Sequence, residues 1–132
     1  MVEANLNADL ITSGERLLVR LDEKGLSPDV AFWLYSSEDQ SWKLILMETK
    51  LTKEGPKAGY AQIQSVFSKY SEELGDLALK DIVIKKPDSQ IVKLIRKAVH
   101  TGPLAKPVRF RNNVVNGTLI DDAYIYRARK RA

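Results

Sequence analysis

The chain has 132 residues, 44% of them hydrophobic and 29% charged, the size and balance of one globular domain with a proper core. Lys and Arg number 21 against 17 Asp and Glu, a formal net charge of +4. There is no cysteine and one histidine, which excludes disulfides, thiolate chemistry, zinc–cysteine sites, iron–sulfur clusters and multi-histidine metal sites.

The first helix is predicted from Leu6, Leu10, Ile11, Leu17, Leu18 and Leu21, which share one face at a period of 3.6. Asn5 or Asn7 could cap an early start and Ser13 a later one. Gly14 weakens its middle, and Gly25 stands where a helix ends. Ser27-Pro28-Asp29 breaks the pattern. Val30 to Tyr35 then reads as a strand, and Trp42 to Lys50 as its antiparallel partner across a turn at 36–41. A turn centred between Glu38 and Asp39 sets Tyr35 opposite Trp42, Trp33 opposite Leu44 and Asp29 opposite Glu48. Both faces of this hairpin are apolar, which places it centrally with cover on each side.

Pro56 suits a first helical turn, and Tyr60, Ile63, Val66, Phe67, Tyr70 and Leu74 continue at helical spacing up to Gly75. Ile82-Val83-Ile84 is a strand ended by Pro87. Asp88 or Ser89 caps a third helix that buries Ile91, Leu94, Ile95, Ala98 and Val99, and Gly102-Pro103 ends it. Val108 and Phe110 alternate with Arg109 and Arg111 in a further strand. Asn116-Gly117 signals a tight hairpin. The returning strand carries Tyr124 and Tyr126 on one face and Ile125 on the other, with a bulge expected at Asp121-Asp122. The order α-β-β-α-β-α-β-β predicts one α+β domain over 1–132, with helices packed on a mixed sheet and a basic tail at 127–132 free to be disordered. The longest apolar run, Val30 to Tyr35, falls far short of the roughly 20 residues that span a bilayer. The opening residues carry no signal-peptide pattern. A cytoplasmic protein without membrane contact is therefore expected.

The charge is unevenly placed. Residues 1–56 carry 6 Lys/Arg and 10 Asp/Glu, a balance of −4, whereas residues 93–132 carry 10 against 2, a balance of +8. Lys93, Arg96, Lys97 and His100 form a stripe at i, i+3, i+4 and i+7. Arg109 and Arg111 project from the next strand. With Phe110, Tyr124 and Tyr126 nearby in sequence, this basic third could meet nucleic acid, cations on phosphates and rings on bases. Trp33, Tyr35 and Trp42 lie on one hairpin face and could form a protein interface, where Trp and Tyr are enriched.

Pro28-Asp29, then strand, turn and a strand ending in Glu48-Thr49-Lys50, resembles the hairpin of PD-(D/E)xK nucleases. That resemblance implies that Asp29 and Glu48 hold Mg²⁺ and that Lys50 orients water or steadies charge on phosphate. A second likeness spans nearly the whole chain. Ala31-Phe32-Trp33-Leu34-Tyr35, Trp42-Lys43-Leu44, Gly55-Pro56 with Tyr60 and Gln64, and Asp122 to Arg127 are similar to a group of small uncharacterised bacterial proteins. It implies no activity, cofactor or catalytic residue.

The leading expectation is a non-enzymatic domain that binds a protein partner or a second copy of itself and needs no cofactor. The alternatives are a Mg²⁺-dependent nuclease using Asp29, Glu48 and Lys50, and a non-catalytic nucleic-acid binder using Lys93, Arg96, Lys97, Arg109 and Arg111.

Overall fold

The structure, a computed structural model, describes residues 6–47, 55–99, 106–115 and 117–129. Helix α1 (Ala8–Glu23) leads into strands β1 (Val30–Ser36) and β2 (Ser41–Met47). Helices α2 (Pro56–Lys69) and α3 (Ser71–Leu74) follow, then a 3-10 turn at Leu79–Asp81 and strand β3 (Ile82–Lys85). Helix α4 (Gln90–Ala98) precedes the hairpin of β4 (Val108–Val115) and β5 (Thr118–Ala128). The α+β class and the element order are those the sequence predicts.

The strands form one mixed sheet in the order β3-β2-β1-β5-β4. Strand β1 is central, antiparallel to both β2 and β5, and β3 alone runs parallel to its neighbour β2. The β1–β2 register pairs Tyr35 with Trp42 and Trp33 with Leu44, as alternation and turn length predict. The β4–β5 ladder closes at Val115↔Thr118. Gly117 there has φ 77°, a backbone state that tight hairpin turns require and glycine adopts without strain.

Two apolar layers follow from strand alternation. Ala31, Trp33, Leu44, Leu46 and Tyr126 meet α1, α2 and α3 through Leu17, Leu21, Ile63, Val66 and Leu74. Val30, Phe32, Ile45, Met47, Ala123 and Ile125 meet α4 through Val92, Ile95 and Val99. Each large apolar side chain so buried contributes roughly 1.5–3 kcal/mol. The double cover makes the hairpin central, as its two apolar faces imply.

Two expectations are corrected and one is extended. The helix after Pro56 is not continuous to Leu74. It breaks at Tyr70 (φ −121°, ψ 34°), whose ring lies under the Arg20 guanidinium, 4.0 Å from its centroid. Arg20 also bonds Glu73 through Nη2 at 2.7 Å, so α1 grips the broken turn from both sides.

At Asp121-Asp122 the β4–β5 register carries through unshifted, but the alternation breaks: Ile120 and Ala123 both face the α4 layer, and Asn112 on the facing strand has φ 51°. A further bulge, not expected from the sequence, faces β1. Ala31 pairs with Arg127 but Phe32 with Ile125, which leaves Tyr126 as the extra residue. Consequently Tyr126 and Arg127, although adjacent, both reach the α1 side. Tyr126 donates to the Ile11 carbonyl and accepts from Trp33 Nε1 at 2.9 Å. Arg127 takes Asp22 through both terminal nitrogens, at 2.9 and 3.1 Å.

The basic tail is ordered at its start. Arg127 and Ala128 belong to β5, and the Arg129 amide donates to the Asp29 carbonyl at 2.8 Å. Residues 130–132 lie outside the described residues.

Candidate binding surface

Burial along β1 and β2 falls off toward their shared turn. Residues Val30 to Trp33 and Leu44 to Met47 are buried, whereas Leu34 to Ser36 and Ser41 to Lys43 are only half-buried. Beyond the end of the helical cover, the α1 side of the sheet therefore opens.

Strand register decides what gathers there. Tyr35 pairs with Trp42 across β1–β2, and their rings sit 5.4 Å apart, tilted by 52°. Trp33 pairs with Tyr124 across β1–β5, and Tyr124 with Arg109 across β5–β4. Arg111 pairs with Asp122. By period-2 alternation, Tyr35, Trp42, Asp122, Tyr124, Arg109 and Arg111 share this one face. The hairpin aromatics and the β4 arginines, far apart in sequence, thus become neighbours.

The arginines are held differently. Asp122 accepts from Arg109 Nε at 2.6 Å and Nη2 at 2.7 Å, a bidentate fork that fixes the guanidinium plane. The same guanidinium lies 5.6 Å from the Trp42 ring centroid, within cation–π range. Arg111 stands 3.8 Å from the same carboxylate with its side chain 66% exposed. One carboxylate thus serves two guanidinium groups close to the Trp42 ring. Burial, first, raises the Tyr124 pKa, as does the charge of Glu15, and the Arg109 charge lowers it less. Tyr124 therefore stays a neutral phenol, its ring 5.2 Å from that of Tyr126.

Trp33 does not belong to this surface. It is 0% exposed and spends its indole N–H on Tyr126, so the aromatic interface expected from Trp33, Tyr35 and Trp42 reduces to the last two. Alternation alone groups the three; distance from the helices separates them.

The basic residues are also divided. Lys93, Arg96 and Lys97 belong to α4, which packs on the opposite side of the sheet from Arg109 and Arg111. A single nucleic-acid surface built from all five does not form. His100 lies outside the described residues.

The expected nuclease set cannot be assembled from what is described. Asp29 immediately precedes β1, but Glu48 and Lys50 lie outside the described residues. Among the described residues no three acidic or histidine side chains gather closely enough to share a metal ion. No described helix is long and apolar enough to cross a membrane.

Sequence reasoning missed Arg109, Asp122 and Tyr124 as companions of Tyr35 and Trp42. The only signal was the alternation of Arg109 and Arg111 with Val108 and Phe110, which fixes their face but not the neighbouring strand. Comparison with protein-family models, with curated proteins and with solved structures gave no match.

Proposed function

We propose that the chain is a binding domain that engages a protein partner through the open end of its sheet, with Trp42 and Tyr35 as anchors and Arg109 and Arg111 as charged contacts. The observation that carries this reading is the fixed Tyr35–Trp42–Arg109–Asp122 array. Trp, Tyr and Arg are the residue types that dominate interface energetics, because they desolvate large areas while ordering few torsions. The bidentate fork sets the Arg109 guanidinium beforehand, so docking loses less conformational entropy. The surface is open, and among the described residues it presents no nucleophile hydrogen-bonded to a base, which suits recognition better than turnover.

A photoreactive residue placed at exposed Gln40, in the turn beside Trp42, with one at exposed Lys57 as control, tests this in extract of the source cell. A discrete crosslinked protein from position 40 and not from 57, lost when Trp42→Ala is added, supports the reading. Equal or no crosslinking from both overturns it. Light scattering over a concentration series shows whether that protein is a second copy of the chain.

A further inference from the structure

The outer face of α4 carries a second, separate concentration of charge. Lys93, Arg96 and Lys97, with Gln90, Leu94 and Pro87, line an open depression of roughly 440 Å³. Among the described residues none of the three cations has an acidic partner. Arg96 is held across the helix toward the sheet, its Nη1 3.9 Å from Met47 Sδ. Met47 pairs in register with Lys85 of β3, so the exposed Lys85 side chain emerges on the same side of the sheet as α4. Four cations therefore share this side of the sheet, three from α4 around one depression and one from the edge strand. Asp88, in the turn before α4, is the nearest acid in sequence and is exposed.

We infer that this α4–β3 face binds the phosphodiester backbone of a nucleic acid, independently of the partner surface on the other side of the sheet. A row of cations about one helical turn apart suits a row of phosphates, and release of condensed counterions supplies the affinity. A bilayer fits less well. Helices that bind membrane surfaces insert an exposed apolar face, whereas the exposed large apolar residues described are Val19, Val114 and Leu119, none of them on α4. Base-reading is not part of the inference: Lys and Arg contacts of this kind position a backbone without reading its sequence. With the two surfaces on opposite sides of one sheet, the domain would join a protein to a nucleic acid.

The test is fluorescence anisotropy with a labelled single-stranded oligonucleotide and the matching duplex, titrated at several salt concentrations. Binding should weaken as salt rises. The double variant Lys93→Gln/Lys97→Gln should bind more weakly and flatten the log–log salt slope by about 1.4–1.8, two phosphate contacts at about 0.7–0.9 each. Lys24→Gln/Lys57→Gln removes the same charge at exposed positions on the other layer and should leave slope and affinity close to wild type. Both double variants alter exposed side chains only, and circular dichroism confirms that each is folded. The inference is overturned if neither oligonucleotide binds at low salt, or if the two double variants weaken binding equally. It is also overturned if poly-glutamate competes as well as unlabelled oligonucleotide, or if anionic vesicles bind and oligonucleotides do not.

Discussion

Gly14 of α1 sits directly against the Tyr126 hydroxyl. A Cβ at position 14 would overlap that oxygen and stand 3.1 Å from Trp33 Nε1. Ordinarily, replacing a mid-helix glycine by alanine stabilises a helix by about 1 kcal/mol. Here overpacking opposes the gain and typically costs about 1–3 kcal/mol. Gly14→Ala should therefore destabilise the fold, read as a lower urea midpoint. Tyr126→Phe alone should cost about 1–3 kcal/mol, because the buried Trp33 N–H loses its acceptor. In the double variant the offending oxygen is gone, so the combined loss should be smaller than the sum of the single losses. Additive losses would mean that the two residues do not meet.

Tyr126 also fixes the alkaline limb. Burial, foremost, pushes its hydroxyl pKa well up, against a smaller lowering by the Trp33 hydrogen bond. A folded value raised above the unfolded one gives stability that is whole below about pH 10 and declines as pH rises beyond it. Of the five tyrosines, Tyr126 should ionise only as the protein unfolds. Phenolate absorbance followed beside circular dichroism reads this directly, and Tyr126→Phe should remove the late step.

Asp22 shapes the acid limb with the opposite sign. Burial raises its pKa, but the hydrogen bonds from Arg127 and then Ser27, with the charges of Arg127 and Arg129, outweigh it and leave it lowered. Its contribution is therefore present above the unfolded value of about 3.9 and is lost as pH falls through the lower folded value. The pair is partly solvated, so Asp22→Asn should cost only about 0.2–1 kcal/mol near neutrality. The gap between wild type and variant should close below about pH 4. A gap that persists in acid would assign the loss to packing instead of charge.

Two helix caps should respond unequally. Asn7 Oδ1 accepts from the Leu10 amide at 2.8 Å, and Asn7→Ala should cost about 1 kcal/mol. Ser89 occupies the same position before α4 without making a side-chain cap bond, and its buried Oγ has no partner among the described residues. Ser89→Ala should be neutral or slightly stabilising, because it removes an unsatisfied buried hydroxyl. Thermal melts of the two variants side by side make the comparison.

The parts of this structure that were legible in the sequence are those set by local chemistry. Alternation and turn length gave Tyr35 opposite Trp42, and periodicity with capping gave α1 and α4. Gly14 read as a weakness in α1, because its reason lies in Tyr126, more than a hundred residues onward. The bulge at Tyr126 is illegible for the same cause: Asp121-Asp122 has the local composition of an irregularity, whereas Tyr126 is displaced by its contacts with Trp33 and Ile11. The binding surface depends on β1 having β5 as its second neighbour. No local pattern encodes strand order, so the aromatic and arginine pairs could be identified but not joined.

The position of β1 bears on how the chain reaches this state. Its link to β5 through Trp33 and Tyr126 closes a loop of 93 residues, an entropic demand that local helices and hairpins do not carry. Until β5 docks, β1 has an unpaired edge and Trp33 lacks its hydrogen-bond acceptor. Such a half-built sheet is open to pairing with other chains. Collapse around α1 and the first hairpin should therefore precede a slower closing step, and the Trp33 indole is the natural reporter of when it is complete.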